Sequence, residues 1–411
     1  MMRAVVSALC LVLLLSGCAA VFDREVYLVI PHWEQPSREE DTAFLRASNA
    51  QELEAALLRL VYARSEEGAV RLSGYAGEVP RDLKDSIENV RSQPIGAYAV
   101  SNISIMERTP LLTDEVVTFH ITYRRTKEQM DSIQSVTAQT LRDELLQALK
   151  ESAGQLVVLT AYYDPGAMDL TAIMTELYYG HPQYAVGLPS LEYTLYPESG
   201  LGRIIEMDLS YSDSPQARAR HMDDVERAAA LLMEDMPAGL DSPAKALWLH
   251  NLLGDYVMYD EEGALMLTGG ANAARGYAYT IYGALDRRRA AGEGYALAYK
   301  YLCDLAGVEC RIVAGKREGV DHAWNIVRLE ENWYNVDVAA DSAAKGHSYD
   351  WFLQPDVAME NLYRWSILQK PPCNAEDLNF GRIAKRSFPD LYQEWSASEE
   401  APLEQMEEEE E

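Results

Sequence analysis

The segment from residue 245 to residue 353 constrains the fold of this chain more than any other, because its elements follow one another with clear boundaries. Apolar residues recur at helical spacing over 246–253, and a second, longer helix is predicted from Gly292 until Gly307 ends it. Strand patterns then follow at 310–315, 321–327 and 333–337. This order predicts an α+β domain.

His322 and Asp337 lie on two neighbouring strand segments of that stretch, with a turn at Glu330-Glu331-Asn332 between them. Such a turn brings residue 322 opposite residues 337 to 339, and directly opposed residues lie about 5 Å apart at Cβ. An imidazole and a carboxylate can hydrogen-bond over that separation. In cysteine acyl transfer a histidine acts as the general base and a carboxylate holds its second nitrogen, and this pair fits both roles. On spacing alone, a structural pair is the more frequent outcome.

Three motifs in this stretch carry a resemblance to a known family. They are GEGYALAYKYLC at 292–303, DHAWNIV at 321–327 and WYNVD at 333–337. In this order and spacing they resemble the bacterial transglutaminase-like domain, a branch of the papain-like cysteine-peptidase fold. The resemblance implies catalytic positions at His322 and Asp337 and a binding cleft near Trp324, Asn325 and Tyr334. It implies neither a metal nor a cofactor.

The nucleophile of that family is missing here. The family places a Cys immediately before the Glu-Gly-Tyr-Ala step of the long helix, and this chain has Gly292 there. No Cys, Ser or Thr lies between Gly283 and Leu302, and Cys303 is about 16 Å further along the helix at 1.5 Å per residue. After Asp337 the family's Thr-Trp-Asp is replaced by Val-Ala-Ala-Asp. The frame of the site is kept, and its usual thiol chemistry is not.

Two classes of function are compatible with this degenerate site. The first is a non-catalytic binding or scaffolding protein whose cleft holds a peptide, a protein or a cell-wall ligand. The second is an active transglutaminase-like hydrolase, a protease or amidase, that uses a water activated by His322 or an atypical nucleophile such as Cys373. A water forms no covalent intermediate and forgoes much of the acceleration that a thiol supplies, so binding is the favoured interpretation.

The N-terminus predicts a secreted, lipid-anchored protein. Arg3 precedes an apolar stretch from Ala4 to Leu15 that is too short to span a bilayer comfortably. The following Ser16-Gly17-Cys18 resembles the lipobox of bacterial lipoproteins, in which the Cys is acylated and becomes the new N-terminus. An ordinary signal peptide with a chance Cys is the alternative. We therefore expect attachment to the bilayer through Cys18, on the extracytoplasmic face of a bacterial cell membrane.

Charge and cysteine content exclude further classes. There are 65 acidic and 36 basic residues, a net charge of −29, which argues against nucleic-acid binding through phosphate contacts. After cleavage the thiols are Cys18, Cys303, Cys310 and Cys373, too few for a disulfide framework. A Cys303–Cys310 bridge and buried free thiols both stay open.

Ahead of the transglutaminase-like region, the chain shows signs of an internal duplication. The residues of Glu52–Leu58 resemble those at 144–149, and Tyr98-Ala99-Val100 recurs as Tyr184-Ala185-Val186. Two small α+β modules side by side would explain this pattern, and chance similarity of amphipathic segments is the alternative. The predicted plan is a signal peptide (1–17), an anchor and linker (18–49), two modules (50–130 and 131–215), the transglutaminase-like domain (216–370), an extension (371–396) and a disordered acidic tail (397–411).

Overall fold

The computed structural model describes residues 45–266, 276–344, 348–366 and 370–399. It contains both helices and sheets, which confirms the predicted α+β class. The chain divides into two compact units, Met1–Asp131 and Ser132–Glu411. The lipobox with Cys18 and most of the acidic tail lie outside the described residues.

The first unit is a four-stranded sheet with helices in its connections. Its elements are β1 (Leu45–Ala47), α1 (Ala50–Tyr62), β2 (Glu67–Ser73), α2 (Val79–Ser92), α3 (Pro94–Ala99), β3 (Val100–Pro110), β4 (Asp114–Tyr123) and α4 (Lys127–Asp131). The strand order is β1-β2-β4-β3, and only the β1–β2 pair is parallel. The sequence placed residues 45–47 in a linker, because three residues are too short to show strand alternation.

The second unit begins with a sheet of the same design. Its elements are β5 (Gln134–Val136), α5 (Ala138–Glu151), β6 (Gln155–Thr160), α6 (Leu170–Gly180), a 3₁₀ turn (Pro182–Tyr184), β7 (Ser190–Tyr196) and β8 (Arg203–Ser210). The order β5-β6-β8-β7, with only β5–β6 parallel, repeats the first sheet. The repeated topology is what a duplication of the two modules requires.

The helix caps give the register between the two copies. The side chain of Asn49 accepts from the third residue of α1, and that of Thr137 does the same for α5, 88 positions later. Leu53 and Leu141, each four residues after its cap, are both buried. The sequence comparison had matched Leu53 with Leu145 instead. That match is four residues away, about one helical turn, which leaves the apolar face unchanged.

The rest of the second unit holds the three sequence motifs at 292–303, 321–327 and 333–337. Its elements are α7 (Pro215–Glu234), α8 (Ser242–Tyr256), β9 (Met258–Tyr259), α9 (Glu261–Met266), a 3₁₀ turn (Tyr277–Tyr279), α10 (Ile281–Leu285), β10 (Arg289–Ala290), α11 (Gly292–Ala306), β11 (Glu309–Arg317), β12 (Val320–Leu329), β13 (Asn332–Val336), α12 (Val338–Ala343), β14 (Phe352–Gln354), α13 (Asp356–Met359), β15 (Tyr363–Arg364), α14 (Phe380–Ser387) and α15 (Pro389–Glu399). A five-stranded antiparallel sheet has the order β14-β13-β12-β11-β15, and β9 pairs with β10.

The central helix α11 spans the predicted residues. Gly307 ends it with a left-handed φ of +73°, which a glycine adopts at little cost. One side of α11 packs on β11 and β12, where the Asn325 side-chain amide donates to the Ala296 carbonyl at 2.9 Å. This contact fixes the start of α11 relative to the sheet that carries His322.

One hydrophobic core extends through the second unit, from Val136 to Ala384. It crosses position 215/216, where the sequence placed a domain boundary. Arg218, fully buried on α7, donates to Ser152 Oγ at 2.8 Å and to the Gly187 carbonyl at 2.9 Å. Residues 132–215 are therefore part of the same compact body as the helices and strands that follow. None of the described helices has the length and apolar character that a bilayer span requires.

This shared core predicts how fragments behave. We expect a fragment of residues 132–399 to unfold cooperatively on heating, and a fragment of residues 216–399 not to do so. The shorter fragment exposes apolar side chains of the shared core and removes Ser152 and Gly187, the hydrogen-bond acceptors of Arg218. Circular dichroism melting and the dispersion of amide NMR signals measure the difference. A cooperative transition of the shorter fragment at the same temperature would contradict the shared core.

Candidate functional site

The structure brings the two predicted catalytic positions together. His322 lies on β12, and its Nε2 is 2.6 Å from Oδ2 of Asp337, the residue that follows β13 and caps α12. The register Asn325↔Val336 extends to bring residue 322 opposite residue 339, within the predicted range. Asp337 reaches back towards β12 because the chain turns into a helix directly after Val336. The catalytic assignment of this pair stays a prediction.

Asp337 is a buried carboxylate with several donors. It is 1% exposed, and Oδ1 accepts the Ala340 N–H at 3.0 Å. The hydroxyl of Tyr363, on β15, donates to Oδ2 at 2.8 Å. Burial by itself raises the pKa of a carboxyl, but the facing His322 and these two donors outweigh burial and hold the pKa of Asp337 below its usual value. Asp337 is therefore ionised at neutral pH.

The residue at the predicted nucleophile position faces the imidazole. Gly292 is the first residue of α11, and Ala291 precedes it as the helix cap. A Cβ built on Gly292 would overlap the His322 ring at Cε1 and Nδ1, closer than real atoms approach. The ring therefore occupies the space into which a cysteine side chain would project. Glycine itself has no side chain that could act as a nucleophile.

A cleft of about 820 Å³ opens beside Gly292 and His322. Its wall is mixed, with aromatic, basic, acidic and small residues. They come from α6, β9, α9, the 3₁₀ turn at Tyr277–Tyr279, the start of α11, the β11–β12 hairpin, and β15 with the two residues after it. Its lining residues include Gly292, Glu293, Arg317, Asp321 and His322. A cleft of this size can hold a segment of a few residues.

The three residues predicted to line the cleft are placed elsewhere. Trp324 lies behind His322, nearly parallel to it with ring centroids 6.4 Å apart, and its indole N–H donates to Asn335 Oδ1 at 3.1 Å. Asn325 faces α11, because successive residues of a strand point to opposite faces. Tyr334 is buried, and its hydroxyl donates to Asp377 Oδ1 at 2.6 Å. None of the three is a lining residue of the cleft.

Sequence reasoning did not single out a second histidine–carboxylate pair next to the first. His250 Nε2 is 2.9 Å from Oδ2 of Asp341, and both residues are fully buried. The other oxygen of Asp341 accepts from Ser348 Oγ at 2.7 Å and from the Trp351 N–H at 3.1 Å. The pair joins α8 to α12. The sequence feature that could have indicated this second pair is Asp341, which lies on α12 one helical turn after its cap residue Asp337.

The thiols of the described residues do not line the cleft. Cys303, Cys310 and Cys373 are free and buried. Burial raises the pKa of Cys373 to about 11, and its Sγ is 3.4 Å from Lys370 Nζ. Burial, together with Cys310, raises the pKa of Cys303 well above its usual value. A buried thiol with a raised pKa is a poor nucleophile, which argues against Cys373 as the atypical nucleophile. No group of three or more potential ligand side chains for a metal occurs among the described residues.

Comparisons with known proteins give partial similarities. No protein-family model matches the chain. A stretch of 57 residues is 40% identical to kyphoscoliosis peptidase from Homo sapiens, and it spans 11% of this chain but only 9% of that protein. A solved structure of a TGase is 12% identical with a TM-score of 0.27, covering 57% of this chain and 68% of the TGase.

A second solved structure, a candidate cysteine protease from Cytophaga hutchinsonii, is 11% identical with a TM-score of 0.24. It covers 43% of this chain and 66% of that protein. At such TM-scores the resemblance supports no conclusion about function, which must come from the site itself.

The buried Asp337 generates a pH-dependent prediction. Asp337→Asn should lower the free energy of unfolding by about 3 kcal/mol at pH 7, because it removes a buried carboxylate that accepts from His322, Tyr363 and the Ala340 N–H. The pKa of Asp337 is depressed, so its contribution is present above the ordinary carboxyl value of 3.8 and is lost as pH falls below it. The gap between the wild type and the variant should therefore shrink in acid. Urea unfolding followed by tryptophan fluorescence between pH 7 and pH 3 measures it.

Asp304→Asn is the matched control for this prediction. Asp304 is an exposed carboxylate paired with Lys300 one turn away on α11. Its loss should cost less than about 0.5 kcal/mol. A gap between Asp337→Asn and the wild type that stays constant down to pH 3 would contradict an ionised Asp337.

Proposed function

We propose that this protein is a membrane-anchored extracytoplasmic lipoprotein whose degenerate transglutaminase-like domain binds peptide or cell-wall ligands in its cleft without cleaving them. One observation carries the proposal. The His322 ring fills the space in front of Gly292 where the side chain of a nucleophile would lie. The order of the three motifs and the geometry of His322 and Asp337 support the transglutaminase-like assignment.

The chemistry of acyl transfer supports a non-catalytic role. A thiol or hydroxyl nucleophile must lie within hydrogen-bond distance of its base and on the open side of the cleft. Gly292 supplies neither group, and the thiols of the described residues are all buried. His322 and Asp337 are thus paired, but Gly292 offers no nucleophilic side chain in front of them for the imidazole to activate.

The cleft itself supports binding. Loss of the nucleophile has not closed it, since about 820 Å³ stays open beside His322. Tyr179, Tyr259, Tyr279 and Trp365 contribute aromatic surface to its wall. Aromatic side chains offer large contact areas at low entropic cost, which suits a binding site for an extended peptide.

The alternative is hydrolysis by a water that His322 activates. The short contact of His322 with the ionised Asp337 favours this candidate, since that arrangement orients a general base. Such a water would have to bind at Nδ1, the ring nitrogen nearest to Gly292.

An activity assay separates the two candidates. We expect the purified domain to show no amide hydrolysis and no incorporation of an amine into protein, measured by mass spectrometry on peptides and peptidoglycan fragments and with a fluorescent amine on casein. Iodoacetamide should leave the native thiols unmodified and should label Cys303, Cys310 and Cys373 only after denaturation. Turnover by the wild type that His322→Ala abolishes would establish the hydrolase instead.

The membrane anchor has its own test. In a bacterial host, the wild type should fractionate with the membrane and partition into the detergent phase of Triton X-114, because acyl chains on Cys18 bury apolar surface in the bilayer. Cys18→Ser should move the protein to the soluble extracytoplasmic fraction. Cys10→Ser, in the segment that would be removed, is the matched control and should change nothing. Membrane association of the Cys18→Ser variant would contradict lipid anchoring.

A further inference from the structure

The N-terminus of α11 opens into the cleft without a cap. No side chain caps it, because its cap residue is Ala291, and both Gly292 and Glu293 line the cleft. The first backbone N–H groups of a helix have no partner within the helix, and the helix dipole adds partial positive charge there. A 15-residue helix such as α11 therefore presents donors that favour an anionic group.

His322 adds a second donor at the same place. Its side chain is 10% exposed, and Nε2 is taken by Asp337. No described residue hydrogen-bonds to Nδ1, which faces Gly292. A protonated imidazole donates from both nitrogens, from Nε2 to Asp337 and from Nδ1 to an anionic ligand. Nδ1 is then a donor directed at the start of α11.

Arg317 provides a third donor, on the neighbouring strand β11. Gly315 of β11 is directly opposite His322, and Arg317, two residues on, points to the same face as the imidazole. Such diagonal neighbours lie about 7–8 Å apart. Among the described residues Arg317 has no ion pair, and its buried Nε lacks a hydrogen-bond partner. Its guanidinium lies 5.8 Å from the ring centroids of Trp351 and Tyr363, which limits its freedom.

The acidic residues of the cleft do not cancel these donors. Asp321 is paired with Lys316 at 2.7 Å. Glu261 and Glu318 are exposed at the rim, where water screens their charge. Glu293 is buried, and it already interacts with another group of the protein. The floor of the cleft thus combines an unpaired guanidinium, an imidazole and a helix N-terminus.

We propose that this floor is a carboxylate-binding site, formed by Arg317, His322 and the N-terminus of α11. The inference rests on the proposed binding function and names the chemical class of the ligand, a peptide with a free carboxylate. Arg317 matches a carboxylate in its fork geometry, and charge-assisted hydrogen bonds are about twice as strong as neutral ones. The carboxylate sits where an acyl group would have been attacked. No covalent step is involved.

A peptide can supply the carboxylate from its C-terminus or from a side chain, and the test separates these sources. Three libraries of acetylated tetrapeptides serve as probes. The first has free C-termini and no Asp or Glu, the second has amidated C-termini and no Asp or Glu, and the third has amidated C-termini and one Asp or Glu. Affinity selection with mass spectrometry finds the binders, and isothermal titration calorimetry measures their Kd values.

We expect binders in the first or the third library, and amidating or neutralising their carboxylate should weaken binding about tenfold or more. Equal binding of carboxylate-free peptides in the cleft would overturn the carboxylate site and leave the binding function standing. A lack of binders in all three libraries would overturn both.

Single substitutions test the contribution of each donor to binding of the carboxylate ligand. Arg317→Met and His322→Gln should each weaken the carboxylate ligand about tenfold and leave an amidated analogue unchanged, whereas a purely structural role would weaken both. Gly292→Ala should weaken binding too, because its Cβ would displace the His322 ring.

Two substitutions are the matched controls. Arg311→Met removes the same charge from the same strand outside the cleft, and Gly154→Ala adds a Cβ in open space. Both should bind like the wild type. Loss of affinity in Arg311→Met equal to that in Arg317→Met would show that net charge alone, and not the site, attracts the ligand.

Discussion

The carboxylate of Asp337 holds together the elements around the cleft. One buried side chain accepts from the imidazole of β12, from the hydroxyl of Tyr363 on β15 and from the first turn of α12. Two strands and the start of a helix are thereby fixed around a single ionised group. Its depressed pKa means that these donors supply more stabilisation than burial removes. The orientation of His322, and with it the shape of the cleft floor, follows from this arrangement.

Much of the domain could be predicted from the sequence because its signals are local. The helix that begins at Gly292 is ended by a glycine in the left-handed region, and the pairing of His322 with Asp337 follows from turn length and strand register. Arg317 could not be predicted, because a strand's alternation gives its face but not whether another side chain pairs with it. The position of the imidazole against Gly292 also depends on the tertiary fold. So does the core that crosses position 215/216, since amphipathic helices do not reveal their partners.

The two sheets of like topology show how similar modules differ in context. Each follows the same order of strands, and each has a short polar side chain that caps its first helix. The sheet within the second unit has partners for its surface, including the buried Arg218, and α6 contributes Tyr179 to the wall of the cleft. A module of this kind therefore helps to shape the binding surface as well as supporting it.

The close approach of the His322 ring to Gly292 has a consequence for substitutions at this position. A single codon change to cysteine would not place an unstrained thiol there, because the new Cβ would meet an imidazole held in place by a buried anion. A second adjustment on β12 or α12 would have to accompany it. A thiol in front of this imidazole is therefore at least two coordinated changes away from the present sequence.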